Sequence, residues 1–261
     1  MRILIVDDNE ANRILAQSIL EKEGYIAVAV SSGEKALTEC QGVKFDLILL
    51  DILMPRMNGI QTLRKLRLTH SRNAQTPVFA LTAYSSPSDT QMLKQAGFEF
   101  ILSKPLRQRD VVQAWSAYQN QHYHVVTPYK TLDKKTNLSH DLIDQNYWEQ
   151  IKQSIPWKEL VSITVAFWKN ADIQIIAFNE NKQQASQANI ESLSKLRRGA
   201  HSLKGSAATL ALKRLEAISG KLQNAPPEHI FGLVDDIEKC VKDSKLAHVT
   251  KLKALAAKHG S

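Results

Sequence analysis

Apolar and polar positions alternate in two different ways along this chain. In the first 120 residues, short wholly apolar runs are separated by amphipathic stretches. Ile3–Val6, Tyr25–Val30, Leu47–Leu50, Val78–Leu81 and Phe100–Leu102 read as strands, most of them apolar enough to be buried on both faces. Between them the spacing predicts helices from Asn9 to about Glu23, from Ser31-Ser32 to about Cys40, and over Gly59–Leu68. Two more follow, from Ser86-Pro87 to Ala96 and from about Arg107 to Tyr118. Five strands alternating with five helices predict an α/β fold, a parallel sheet with helices on both faces.

From about Gln119 to Asn137 the periodicity lapses, and the polar stretch QNQHYHVVTPYKTLDKKTN reads as an interdomain linker. His122 and His124 form an HxH pair, but no Cys or third His lies near enough to make a metal site of it. Beyond the linker the pattern is wholly helical. Helices are predicted over Ser139–Gln153, from Pro156 towards Gln183, from Ala188-Asn189 to about Leu210, over about Leu212–Leu222, and over about Glu228–Ala257 as one helix or a pair. A four-helix bundle with an accessory helix is the natural packing. The predicted division is therefore 1–120, a linker at 121–137, and an all-α domain over 138–261.

The strand ends carry the chemistry. They supply Asp7, Asp8, Asp51, Thr82 and Lys104, and in a parallel sheet these ends line one edge. Three carboxylates there need a counter-ion, and an oxygen-only set suits Mg²⁺. Thr82 offers a hydroxyl and Lys104 a cation to phosphoryl oxygens. Together they imply phosphoryl transfer to the Asp51 carboxylate, giving an acyl phosphate. A dinucleotide site is disfavoured because no GxGxxG follows the first strand.

In the third predicted helix of the second half, Leu193, Leu196, Ala200, Leu203, Ala207 and Leu210 form one core stripe. His201 lies beside it, on a surface flanked by Arg197, Lys204, Gly205 and Ala208. A mid-helix glycine costs about 1 kcal/mol against alanine, so Gly205 points to close approach by another surface.

Charge and composition narrow the classes. The chain carries +8 overall. Residues 1–120 hold 14 Lys/Arg against 12 Asp/Glu and residues 121–261 hold 20 against 14. The excess is scattered along helical faces, which argues against nucleic acid as a partner. Two distant cysteines, Cys40 and Cys240, suggest a reducing cytoplasm. No run of about 18 apolar residues exists, so no direct membrane contact is expected.

The motifs ILIVDD, LLDILMPRMNG, LTA and SKP resemble those of two-component receiver domains. The resemblance implies a flavodoxin-like sheet of order 2-1-3-4-5, with Asp51 as phosphoacceptor. Asp8, Asp51 and the main-chain carbonyl of Leu53 would bind Mg²⁺, Asp7 would assist through water, and Thr82 and Lys104 would contact the phosphoryl group. The family's switch aromatic, three residues before the lysine, is replaced by Ile101; Phe100 would point to the other face. Leu53 and Tyr84, each two residues past a site residue, could shield a phosphoryl group from water.

The stretch AHSLKGSAATLAL resembles the motif of histidine-containing phosphotransfer (HPt) domains. The resemblance implies that His201 is phosphorylated, Lys204 stabilises the phosphoryl group, and Gly205 leaves room for a docking receiver. Ala211 stands where the family often has glycine. The joint expectation is a phosphorelay segment, as at the C-terminal end of a hybrid sensor histidine kinase. A histidine kinase domain would be the donor and a separate response-regulator receiver the acceptor. No ATP-binding kinase core is present, and autokinase activity is not expected. A free-standing response regulator with an HPt output, or a module draining phosphoryl groups in reverse, uses the same residues and stays open.

Overall fold

The computed structural model describes residues 1–82, 87–120 and 142–259. The chain divides into two compact units, Met1–Asp133 and Lys134–Ser261.

In the first unit the order is β1 (Arg2–Val6), α1 (Glu10–Lys22), β2 (Ile26–Val30), α2 (Gly33–Gly42), β3 (Leu47–Asp51), α3 (Gly59–Leu68), β4 (Val78–Thr82), α4 (Pro87–Gln95), β5 (Phe100–Ser103) and α5 (Gln108–Gln119). The five strands form one parallel sheet, β2-β1-β3-β4-β5. Wholly apolar strands have two faces to bury, and both are covered. Leu4, Val6, Ile48, Leu50, Ala80 and Ile101 enter one core layer, while Ile3, Ile5, Leu47, Leu49, Phe79 and Phe100 enter the other. Ile101 and Phe100 thus lie on opposite faces of β5, and the Phe100 ring packs 4.9 Å from that of Phe79.

Local signals set the element boundaries. The Asn9, Ser32 and Asn58 side chains each accept a backbone N–H of the first turn of α1, α2 and α3, and Gln61 completes a capping box with Asn58. Gly24 and Gly97, both at positive φ, follow α1 and α4. Ser86 and Tyr84, singled out in the sequence, lie outside the described residues, as does the stretch 121–141 with its HxH pair.

The second unit is all helix among its described residues: α6 (Gln145–Ser154), α7 (Trp157–Ser186), α8 (Ile190–Thr209), α9 (Lys213–Asn224), a 3₁₀ turn at Pro227–His229, and α10 (Ile230–His259). α7 packs on α8, α8 on α9, α9 on α10, and α10 back on α7, closing a four-helix bundle with α6 as the accessory helix. The C-terminal stretch is one long helix rather than a pair.

Two details depart from the periodicity. α6 starts at Gln145, after Leu142 and Ile143, because the Asp144 side chain accepts the Tyr147 N–H and caps it there. α7 is long and apolar enough, by length and composition, to cross a membrane. Its Leu160, Ile163, Phe167, Ala171 and Phe178 are nevertheless buried in the bundle. Its Val165, on the apolar spacing, faces outward.

Candidate functional site

The acidic site is built at the C-terminal ends of β1, β3 and β5. The backbone N–H of Asp7 still bonds Val30 O, so the carboxylate follows directly on the sheet ladder. Asp51 ends β3 and is only 2% exposed. The Lys104 N–H donates to Thr82 O (2.8 Å), which anchors the lysine beside the end of β4. Its ammonium then bridges Asp7 Oδ2 at 2.6 Å and Asp51 Oδ2 at 2.7 Å. Thr82 is buried at the end of β4, one residue beyond the Leu81 that pairs with Asp51. Leu53 donates its N–H to Asp51 Oδ1 (3.3 Å), and its side chain is exposed.

Asp7, Asp8 and Asp51 each offer an oxygen atom, all within 4.8 Å of one another. Three carboxylates with one ammonium leave excess negative charge in a buried place. Burial first, and then Asp7, push Asp51 up to about 7 against the pull of Lys104. Burial and Asp7 likewise push Asp8 up to about 6. Lys104 goes the other way: burial opposes its charge, but Asp51 and Asp7 outweigh it and hold the ammonium above the ordinary lysine range. Both directions describe one cluster with more anions than cations. An all-oxygen set with uncompensated charge fits a hard divalent cation.

Asn12 and Arg13, on the first turns of α1, support this cluster. Asn12 Nδ2 donates to both oxygens of Asp7, at 3.3 Å each. The Arg13 guanidinium donates to the main-chain carbonyls of Asp7 and Asp8, both at 2.9 Å. Gly59 is a close-approach glycine, because a Cβ there would collide with the Asp51 carbonyl oxygen.

The second site lies on α8. Leu196, Ala200, Leu203, Ala207 and Leu210 of the stripe are buried, and Leu193 is half-buried. His201 is not on an open surface. It is 5% exposed, because α9 packs alongside and lays Gln223 over it, with Nε2 3.1 Å from His201 Nδ1. The Gln223 Oε1 atom is buried with no hydrogen-bond partner among the described residues. Turning that amide by half a rotation would let Oε1 accept from a protonated Nδ1. Lys204 is half-buried, its stem running beside Gly220 of α9. Burial raises the nearby Glu216 carboxyl, and Lys204 draws it back down. Gly205 and Ala208 are buried a turn further on. The Arg197 guanidinium reaches the Ala225 carbonyl, 3.3 Å away. Gln223, Asn12 and Arg13 carry no motif in the sequence.

The response regulator receiver domain family matches residues 3–116, and the Hpt domain family matches residues 172–247. The chain therefore carries a receiver domain followed by an Hpt domain, a pair that supports a part in phosphorelay signalling. Its relatives include sensor proteins and a sensor histidine kinase. The sensor protein GacS of Pseudomonas syringae pv. syringae is 39% identical over 43% of this chain and 13% of its own length. The sensory/regulatory protein RpfC of Xanthomonas campestris pv. campestris is 27% identical over 85% of this chain and 30% of its own. The chain thus spans less than a third of either relative. Among solved structures, the chemotaxis protein CheY4 of Vibrio cholerae is similar at 30% identity with a TM-score of 0.42. That match covers 44% of this chain and 95% of CheY4.

Proposed function

We propose that Asp51 accepts a phosphoryl group from the phosphohistidine of a histidine kinase domain. The group then passes to His201, and from His201 to the receiver of a separate response regulator. Units 1–120 and 138–261, joined by 121–137, are the two carriers. The Lys104 ammonium bridging two buried carboxylates at 2.6 and 2.7 Å carries this reading. Such a centre is preorganised for a group bearing several anionic oxygens.

In the first step an Asp51 carboxylate oxygen attacks phosphorus while the phosphorus–nitrogen bond to the donor imidazole breaks. Asp7, Asp8 and Asp51, with the Leu53 main-chain carbonyl, would hold Mg²⁺, which supplies charge neutralisation of the phosphoryl oxygens. Lys104 turns from its two carboxylates to the new phosphoryl oxygens, and the Thr82 hydroxyl donates to another. In the second step a ring nitrogen of His201 attacks phosphorus and the carboxylate leaves. Gln223 holds Nδ1, which orients the ring and leaves Nε2 to attack. Lys204 offers a cation to the transferred group, and buried Gly205 keeps that flank of α8 free of side chain.

Incubation with a small acyl or amidophosphate donor and Mg²⁺ tests this. Base-labile phospho-Asp and acid-labile phospho-His should both accumulate. A chain that takes up label at neither residue refutes the reading.

A further inference from the structure

Helix α7 is apolar on two sides, and among the described residues the bundle buries only one. Opposite its buried face, Val165 is 62% exposed, Ile173 53% and Ile176 60%. Exposed Lys169 and Glu180 share that outer face. Positions 169, 173, 176 and 180 step by four, three and four, so they form a single seam along the helix. The seam reads the same in both directions about the midpoint between Gln174 and Ile175. Its apolar positions match under reversal, and its charges are opposite.

A two-fold contact requires a surface that complements itself. This seam does. Antiparallel pairing about that midpoint sets Ile173 against Ile176 of a second copy, and Lys169 against its Glu180. Both pairs occur twice. We propose that this outer face of α7 is the surface through which two copies of the chain pair.

The isoleucines supply the apolar contact, and the flanking Lys–Glu pairs fix orientation and register more than affinity. Gly199 of α8 meets the opposite side of α7, at Gln174 and Phe178. The seam is therefore turned away from the helix that carries His201. From Lys169 to Glu180 it runs about 17 Å, at about 1.5 Å per residue. That is short against a standard interface, so the pairing is weak and depends on concentration.

Sedimentation equilibrium of the full chain over a wide concentration range is the test. The weight-average mass should rise from monomer towards dimer. Lys169→Glu or Glu180→Lys alone faces like charges at both ends and should weaken association about tenfold. The double swap Lys169→Glu/Glu180→Lys should restore it, and Ile173→Ser/Ile176→Ser should abolish it. All are surface changes, so circular dichroism melts should stay unaltered. A monomer at every concentration overturns the proposal, as does a dimer indifferent to the swaps. Binding to anionic phospholipid vesicles that is lost in the isoleucine variant would assign the face to a membrane, and would equally overturn it.

Discussion

Lys104 places its ammonium 2.7 Å from the Asp51 carboxylate, with Asp7 closing the same contact from the other side at 2.6 Å. Burial, with three carboxylates set against the Lys104 ammonium and the nearby Arg13 guanidinium, makes the folded state hold protons more tightly than the unfolded chain. Asp8 and Asp51 are raised from 3.8 to about 6 and about 7. Carboxylates raised in this way contribute stability that is present below 3.8 and lost as pH rises through 6 to 7. In a chelator, the midpoint of urea unfolding of the first unit should fall as pH is raised across that window. Added Mg²⁺ should reverse the fall at neutral pH and do little at pH 4, where protons compete for the same oxygens. Equal Mg²⁺ stabilisation at both pH values would contradict this.

Gln223 reaches the His201 ring from α9, its Nε2 3.1 Å from Nδ1. Replacing it by alanine removes about one hydrogen bond, worth on the order of 1 kcal/mol. Gln223→Ala should slow phosphoryl transfer from Asp51 to His201 about fivefold. The rate at which Asp51 itself is labelled should stay unchanged, because the first site is intact, and phospho-Asp51 should build up. Rapid-quench labelling measures both. An unaltered transfer rate would show that the amide only packs.

His248 gives the bundle the opposite pH response. Its ring is fully buried edge-on between Trp148 and Trp168, at 4.8 and 5.8 Å between ring centres. Neither ring nitrogen has a hydrogen-bond partner among the described residues. Burial, and then Lys251, lower it from 6.5 to about 4. A histidine depressed in this way contributes stability above 6.5 that is lost as pH falls towards 4. Hydrogen exchange of α10 amides in the intact chain should accelerate as the pH drops through that range, after correction for intrinsic rates. His248→Phe should flatten the response. An identical pH profile in the variant would rule the histidine out.

Ala211 follows α8 with φ at +60°, in the left-handed region, and its carbonyl accepts the Asp144 N–H (2.8 Å). A side chain there costs about 1 kcal/mol or more. Glycine removes that strain but loosens the unfolded chain by a smaller amount. Ala211→Gly should therefore stabilise the second unit by about 0.5–1 kcal/mol. Urea unfolding followed by bundle tryptophan fluorescence reads this, and a destabilised variant would contradict it.

The strands were readable because an apolar run of four or five residues ending in a carboxylate leaves little choice of register or face. Asp7, Asp51 and Lys104 meet because parallel strands end on one edge, a consequence of topology that alternating elements already imply. The Ile101–Phe100 alternation followed from the period of two. What escaped depends on contacts between helices. Gln223 reaches His201 only because of how α9 crosses α8, and no periodicity encodes a crossing. The covering of His201 escaped for the same reason. Asn12 and Arg13 sit on ordinary first turns, and their reach to Asp7 depends on side-chain direction. His248 was within reach of the pattern: Ile237, Val241, Ser244 and His248 step by four, three and four, and all four are buried. Its charge-capable ring disguised a core position.

The relay itself is most directly tested by the order in which the two residues depend on each other. Purified chain, the Asp51→Asn variant and the His201→Gln variant would each be given a small phosphodonor and Mg²⁺, and the label assayed for acid and base lability. Asp51→Asn should lose both kinds of label, and His201→Gln should keep base-labile phospho-Asp while losing the acid-labile fraction. Acid-labile label persisting at His201 in the Asp51→Asn chain would contradict a transfer that runs through Asp51.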